Sequence, residues 1–177
     1  VLGPDAESVA LAWRFPGLAS KDFEVLQVVS QVLYNGKAGL IDLDLNQQQK
    51  VLNSYGYPMG LADYSALLLG GLPKQGQTLE EVKDLLLNEI KKLRAGEFDE
   101  KMLQANINNF KLYELQSMES NEGRADIFVN SFINGTNWKD EVTAIDRMAK
   151  LTKEDIVAFA DKYLKEDNYA VVYKKQG

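Results

Sequence analysis

Both ends of this chain read as β-strand, and almost everything from residue 78 to residue 164 reads as helix. Near the start, Val9, Leu11, Trp13 and Phe15 alternate with smaller or polar residues, the period of a strand with one buried face. Near the end, Tyr169-Ala170-Val171-Val172-Tyr173 repeats the theme. A strand cannot satisfy its backbone alone, so the two ends are expected to pair with each other or with strands between them, in or near the centre of a sheet. Consecutive helices with no intervening strand do not fit a doubly wound parallel sheet. The expected fold is α+β: a mostly antiparallel sheet of about four strands with helices packed on one face. No repeat or linker breaks the chain, so residues 1–177 are read as a single domain.

The elements between follow from local signals. Pro16-Gly17 stops the first strand, and Ser20 caps a helix carrying Phe23, Leu26, Leu33 and Tyr34. Asn35-Gly36 is expected to end that helix in a left-handed turn, and a shorter helix is expected over about Leu40 to Gln49. Val51–Met59 and Asp63–Gly70 read as a hairpin turning near Met59-Gly60. Thr78-Leu79-Glu80-Glu81 is a capping box, followed by the stripe Leu79, Val82, Leu86, Ile90 and Leu93, with Gly96 as the stop. Asp99 restarts a helix running to about Ser120, with Phe98 placed against Leu103. Further helices are expected over 121–133 and, capped by Asn137, from Trp138 to Ala149. Thr152-Lys153-Glu154-Asp155 caps a last helix with Ile156, Phe159, Ala160, Tyr163 and Leu164 on its buried side.

Composition narrows the chemistry more than the fold. The chain contains no histidine and no cysteine. That removes imidazole bases, thiol nucleophiles, Ser-His-Asp triads and the usual zinc ligands. Twenty basic residues against 26 acidic ones leave a net charge of -6, and no basic patch is segregated, so nucleic acid is not an expected partner. Mean hydropathy is -0.28, and no apolar run approaches the ~20 residues of a membrane span. The chain opens at Val1 with no signal-peptide pattern and closes at Lys174-Lys175-Gln176-Gly177, which reads as a piece of a larger protein. Lack of cysteine is compatible with cytoplasm or periplasm alike.

Four patterns hint at chemistry, and each has a simpler account. Asp42-x-Asp44-x-Asn46 starts like a calcium loop, but Gln47 stands where the turn glycine belongs and Asn53 where a bidentate Glu belongs. Gly71-x4-Gly76-Gln77-Thr78 nearly matches a phosphate loop, but Gln77 replaces its lysine and Pro73 removes an N–H. Asn134-Gly135-Thr136 satisfies the glycosylation pattern and equally well a helix end followed by a new cap. Glu80-Glu81 and Glu97/Asp99/Glu100 suit helix N-termini, while leaving a two-carboxylate hydrolase open. Tyr55, Tyr57 and Tyr64 lie on the hairpin, Tyr55 and Tyr57 on one strand face. No residue is assigned a catalytic, metal-binding or cofactor-binding role from these patterns.

Three stretches together resemble the non-catalytic, C-terminal half-domain of the pitrilysin/insulinase family of zinc metallopeptidases. They are Asp22–Leu33 ending in Asn35-Gly36, Thr78–Gly96 followed by Phe98–Asn106, and Leu151–Ile156 through Lys162-Tyr163-Leu164 to Tyr169–Tyr173. The resemblance implies a clamshell of two related halves. One half holds zinc through an inverted His-x-x-Glu-His helix and a further Glu. The other closes a chamber around an unfolded peptide. A chain without histidine is then the second kind, itself inactive, with zinc and catalysis in an N-terminal partner half, in the same polypeptide or a separate subunit. Bacterial origin is expected from the compact layout. Active relatives often supply an Arg and a Tyr from the second half near the strand and loop before the long helix. Here Ser65–Thr78 holds neither, so no such role is carried over; peptide could still add along a strand edge. The family also contains catalytically inactive scaffold or assembly domains, which is the alternative expectation.

Overall fold

The computed structural model describes residues 1–3 and 6–177 of the chain. The elements run β1 (Leu2–Gly3), β2 (Ser8–Pro16), α1 (Lys21–Leu33), β3 (Asn53–Gly60), β4 (Tyr64–Leu72), α2 (Leu79–Arg94), α3 (Lys101–Glu119), α4 (Asn121–Asn134), α5 (Trp138–Val142), α6 (Ala144–Met148), α7 (Lys153–Tyr163) and β5 (Ala170–Gln176). The sheet order is β1-β5-β2-β4-β3, with antiparallel pairing except between β1 and β5. The α+β class is as expected, and the two long terminal strands pair directly, Leu11 opposite Val171. The sheet has a fifth strand, because Leu2-Gly3 joins β5 in parallel: too short a segment, with too distant a partner, to show as a period.

Register explains the layering. Val9, Leu11, Trp13 and Phe15 all point to one side and are buried, as are Leu67 and Leu69 of β4. Against this side pack α1 through Phe23, Leu26 and Val29, α2 through Val82, Leu86 and Leu93, and α7 through Ile156 and Phe159. The rings of Phe15 and Phe159 stack 5.7 Å apart, and Phe15 meets Tyr163 at 4.9 Å. Each caged apolar side chain contributes roughly 1.5–3 kcal/mol of burial, so this layer dominates stability.

The caps behave as their chemistry dictates. Thr78 Oγ1 accepts from the Glu81 N–H, and a Glu81 carboxylate oxygen accepts from the Thr78 N–H at 2.7 Å. Thr152 and Asp155 repeat the arrangement at α7. Three expected boundaries shift. Helix α1 ends at Leu33, with Tyr34 extended, so Gly36 takes its left-handed conformation beyond the helix. The short helix expected over 40–49 forms, but it is helical over 40–46 only and widens over Asp42–Asn46, where Gln47 N–H reaches Asp42 C=O. The helix expected from Trp138 to Ala149 breaks into α5 and α6 at Thr143, whose hydroxyl donates back to the Lys139 carbonyl.

Candidate functional site

The structure disperses each hinted motif. Asp42 is buried and accepts the N–H groups of Asn35 (2.9 Å) and Gly39 (3.0 Å), which clips the loop after α1. Asp44 pairs with Lys92 at 2.6 Å. Asn46 faces β3, where its amide accepts from the Ser54 N–H and donates to the Ser54 carbonyl, both at 2.8 Å. Three side chains aimed in three directions form no ion cage, and among the described residues no cluster of three or more acidic residues is placed to hold a metal. The phosphate-loop mimic fails likewise: Gly71 lies inside β4, and Gln77 closes the loop on the Lys74 N–H and the Lys50 carbonyl. Gly135 has φ 64° and ends α4, and Asn137 caps α5 by accepting from the Lys139 N–H.

Strand addition along β3 is also poorly served. Ser54, Gly56 and Pro58 turn their backbone outward from the sheet. Asn46 occupies both groups of Ser54, and Pro58 has no N–H to give.

Two surfaces remain. The first is the uncovered face of the sheet. Tyr55 and Tyr57 stack with centroids 6.3 Å apart, and Arg14 lies over the Tyr64 ring at 3.7 Å. The Arg14–Tyr64 pair was hidden in sequence because its members sit on different strands, 50 residues apart; β2–β4 pairing brings Pro16 opposite Tyr64. Tyr64 lies one residue before the stretch lacking Arg and Tyr.

The second is a cleft of about 620 Å³ where the start of α1 meets α3, α4, α5 and α6. Its apolar lining includes Phe23, Phe110, Met118, Ile127, Ile145 and Met148. Its charged lining is Glu24, Glu114, Asp140 and Glu141. The local sequence builds this shape by sharp turns. Ser120 ends α3 and caps α4, accepting from the Gly123 N–H at 2.9 Å. A Cβ at position 123 would overlap the Ser117 carbonyl, so glycine lets α4 fold back tightly on α3. Across the cleft, Arg147 of α6 grips the Glu24 carboxylate with two donors, Nε at 2.9 Å, and also donates to the Asp140 carbonyl at 2.6 Å. The Glu24 contact holds the guanidinium above its ordinary pKa. Nearby, the Tyr163 hydroxyl donates to the Asp22 carboxylate, and burial together with that contact raises the phenol.

Nothing in the cleft is a nucleophile held by a base. What the arrangement offers is a concave, half-apolar, acid-lined surface, the chemistry of a binding site. A mostly antiparallel sheet backed by helices on one side, with such a cleft beside it, defines an α+β domain that carries a concave surface. The chain belongs to the family described as the peptidase M16 inactive domain, whose model matches residues 2–110. It is 26% identical over 178 residues to the zinc protease PqqE of Helicobacter pylori, covering 98% of this chain and 39% of that protein. Among solved structures it resembles a protease from Helicobacter pylori (TM-score 0.88, 22% identity, 96% of this chain and 41% of that one). It also resembles the inactive peptidase domain of a putative zinc protease from Bordetella parapertussis (TM-score 0.83, 17% identity, 97% and 93%). The chain thus spans about two fifths of the curated relative's length.

Proposed function

We propose that this domain is the substrate-binding, chamber-closing half of a two-half zinc peptidase, holding unfolded peptide while an N-terminal half supplies zinc and the hydrolytic water. The observation that carries this reading is the cleft: a peptide-sized concavity in a domain of a peptidase family whose longer relative is named a zinc protease. The sequence agrees, since without histidine the chain lacks the imidazole ligands such a zinc site uses. The domain by itself then binds peptide and cleaves none. The test is fluorescence anisotropy of a dye-labelled, neutral, unstructured peptide on the purified chain, with zinc measured by atomic absorption after gel filtration. Saturable binding with no stoichiometric zinc is expected. Retained zinc with chelator-sensitive hydrolysis overturns the reading, and failure to bind any unfolded peptide gives way to an assembly role.

A further inference from the structure

We propose that the cleft selects peptide segments in which a Lys or Arg side chain is flanked by apolar residues. This rests on the peptide-holding role above and adds its specificity. Four carboxylates line the cleft, on α1, α3 and α5, and no Lys or Arg lines it. The Glu24 charge is answered by Arg147, bound from α6. Arg147 reaches the Asp140 carboxylate only at 4.0 Å. Among the described residues no Lys or Arg forms an ion pair with Glu114 or Glu141. Asp140 and Glu141 are exposed and Glu114 is half-buried, so these acids ring the open mouth of the cleft, where like charges gathered on one side concentrate counter-charge.

The rest of the lining decides what form that counter-charge takes. Phe110, Met118, Ile127 and Ile145 are half-buried and turn apolar surface to the cleft, over a floor closed by the buried Phe23 and Met148. A small cation gains nothing from such walls. The side chains of Lys and Arg carry an apolar stem with a charged tip, so stem and neighbouring apolar residues lie on the aromatic and thioether surface while the tip reaches the acids. The volume of about 620 Å³ falls within the ~300–1,000 Å³ of ligand clefts, room for a short run of peptide and too little for a folded domain.

The experiment uses three dye-labelled unstructured 12-residue peptides of Leu, Phe and Ser, identical except for two positions holding Lys, Gln or Glu. Anisotropy titrations with the purified chain are expected to show the Lys peptide binding about tenfold more tightly than the Glu peptide at 50 mM salt. That ratio should shrink to roughly threefold at 500 mM salt, where the screening length falls to about 4 Å. The double variant Glu114→Gln/Glu141→Gln, checked for folding by circular dichroism, should lose most of the ratio, the affinity for the Lys peptide falling toward that for the Gln peptide. Equal affinity for all three peptides overturns the specificity and leaves the peptide-holding role standing. A ratio unchanged in the double variant places the preference elsewhere and overturns the assignment to this cleft. Binding of none of the three overturns both readings. Self-association seen by sedimentation that the Lys peptide does not disturb, with no peptide bound, makes a second copy the occupant and overturns the proposal.

Discussion

The sheet with α1, α2 and α7, and the arm made by the end of α3 with α4 and α5, both carry apolar stripes but use them in opposite ways. In the first region the apolar stripes of β2, α1, α2 and α7 face inward; Trp13 is 1% exposed and Leu86 fully covered. In the arm the stripe faces water. Phe132 is 89% exposed and Ile133 70%, with Phe128, Val129, Leu112, Tyr113 and Leu115 exposed around them, and the residue α4 buries is Ser131. The match to the family model covers residues 2–110 and so stops where the arm begins. An apolar stripe therefore reports that an element has a side to hide, and only the packing tells whether the domain itself hides it. Contiguous exposed apolar surface of this kind is typical of a contact region.

Breaking the inner region should have the largest effect. Trp13→Ala removes a fully packed indole and its hydrogen bond to the Lys165 carbonyl, and is expected to destabilise the domain by about 3–5 kcal/mol in urea denaturation. A loss below about 1 kcal/mol would mean the sheet layer is not the stability core.

An intermediate effect is expected at Glu89, which is 1% exposed on α2, with Oε1 bound to Lys92 at 2.9 Å and Oε2 lacking a hydrogen-bond partner. Burial raises its carboxyl above the ordinary 4.5, against the pull of Lys92, and the nearby Asp44 carboxylate adds to the rise. Burial works the same way on Asp44, but Lys92 outweighs it, with help from Lys50, and holds Asp44 below 3.8. Glu89 keeps its proton to higher pH folded than unfolded. Its stabilising contribution is thus full below pH 4.5 and lost as pH rises through its folded value. Asp44 acts in the opposite sense, but below 3.8. Glu89→Gln should flatten the fall in stability above pH 4.5 by roughly 1 kcal/mol, read from melts at stepped pH. Parallel pH profiles for both proteins would refute the assignment.

The smallest effect belongs to the arm. Phe132→Ser should change stability by no more than about 0.5 kcal/mol, since the ring has little to lose on exposure. A melting point lowered by several degrees would show that the arm folds back on the domain in solution and erase the contrast between the regions.

What could be read in the sequence divides along the same line. The capping boxes at Thr78 and Thr152, and the inward stripes of β2 and α2, rest on contacts within a few residues, and they stand as read. The cleft rests on Arg147 meeting Glu24 across 123 positions, and the Arg14–Tyr64 pair on strand register. Neither leaves a local trace. The break at Thr143 leaves no mark in the sequence because the apolar spacing continues helically through Val142 and Ile145, while the hydroxyl bond at the break depends on rotamer.

One small arrangement bears on how this protein behaves when concentrated. With a side-chain amide from Asn46 seated where a neighbouring chain would dock, and a proline two positions past Gly56, the β3 rim presents only a short, interrupted ladder to a second molecule. Strand-to-strand growth from that side is hindered, so crowding should bring copies together there through exposed apolar helix surfaces rather than through β3.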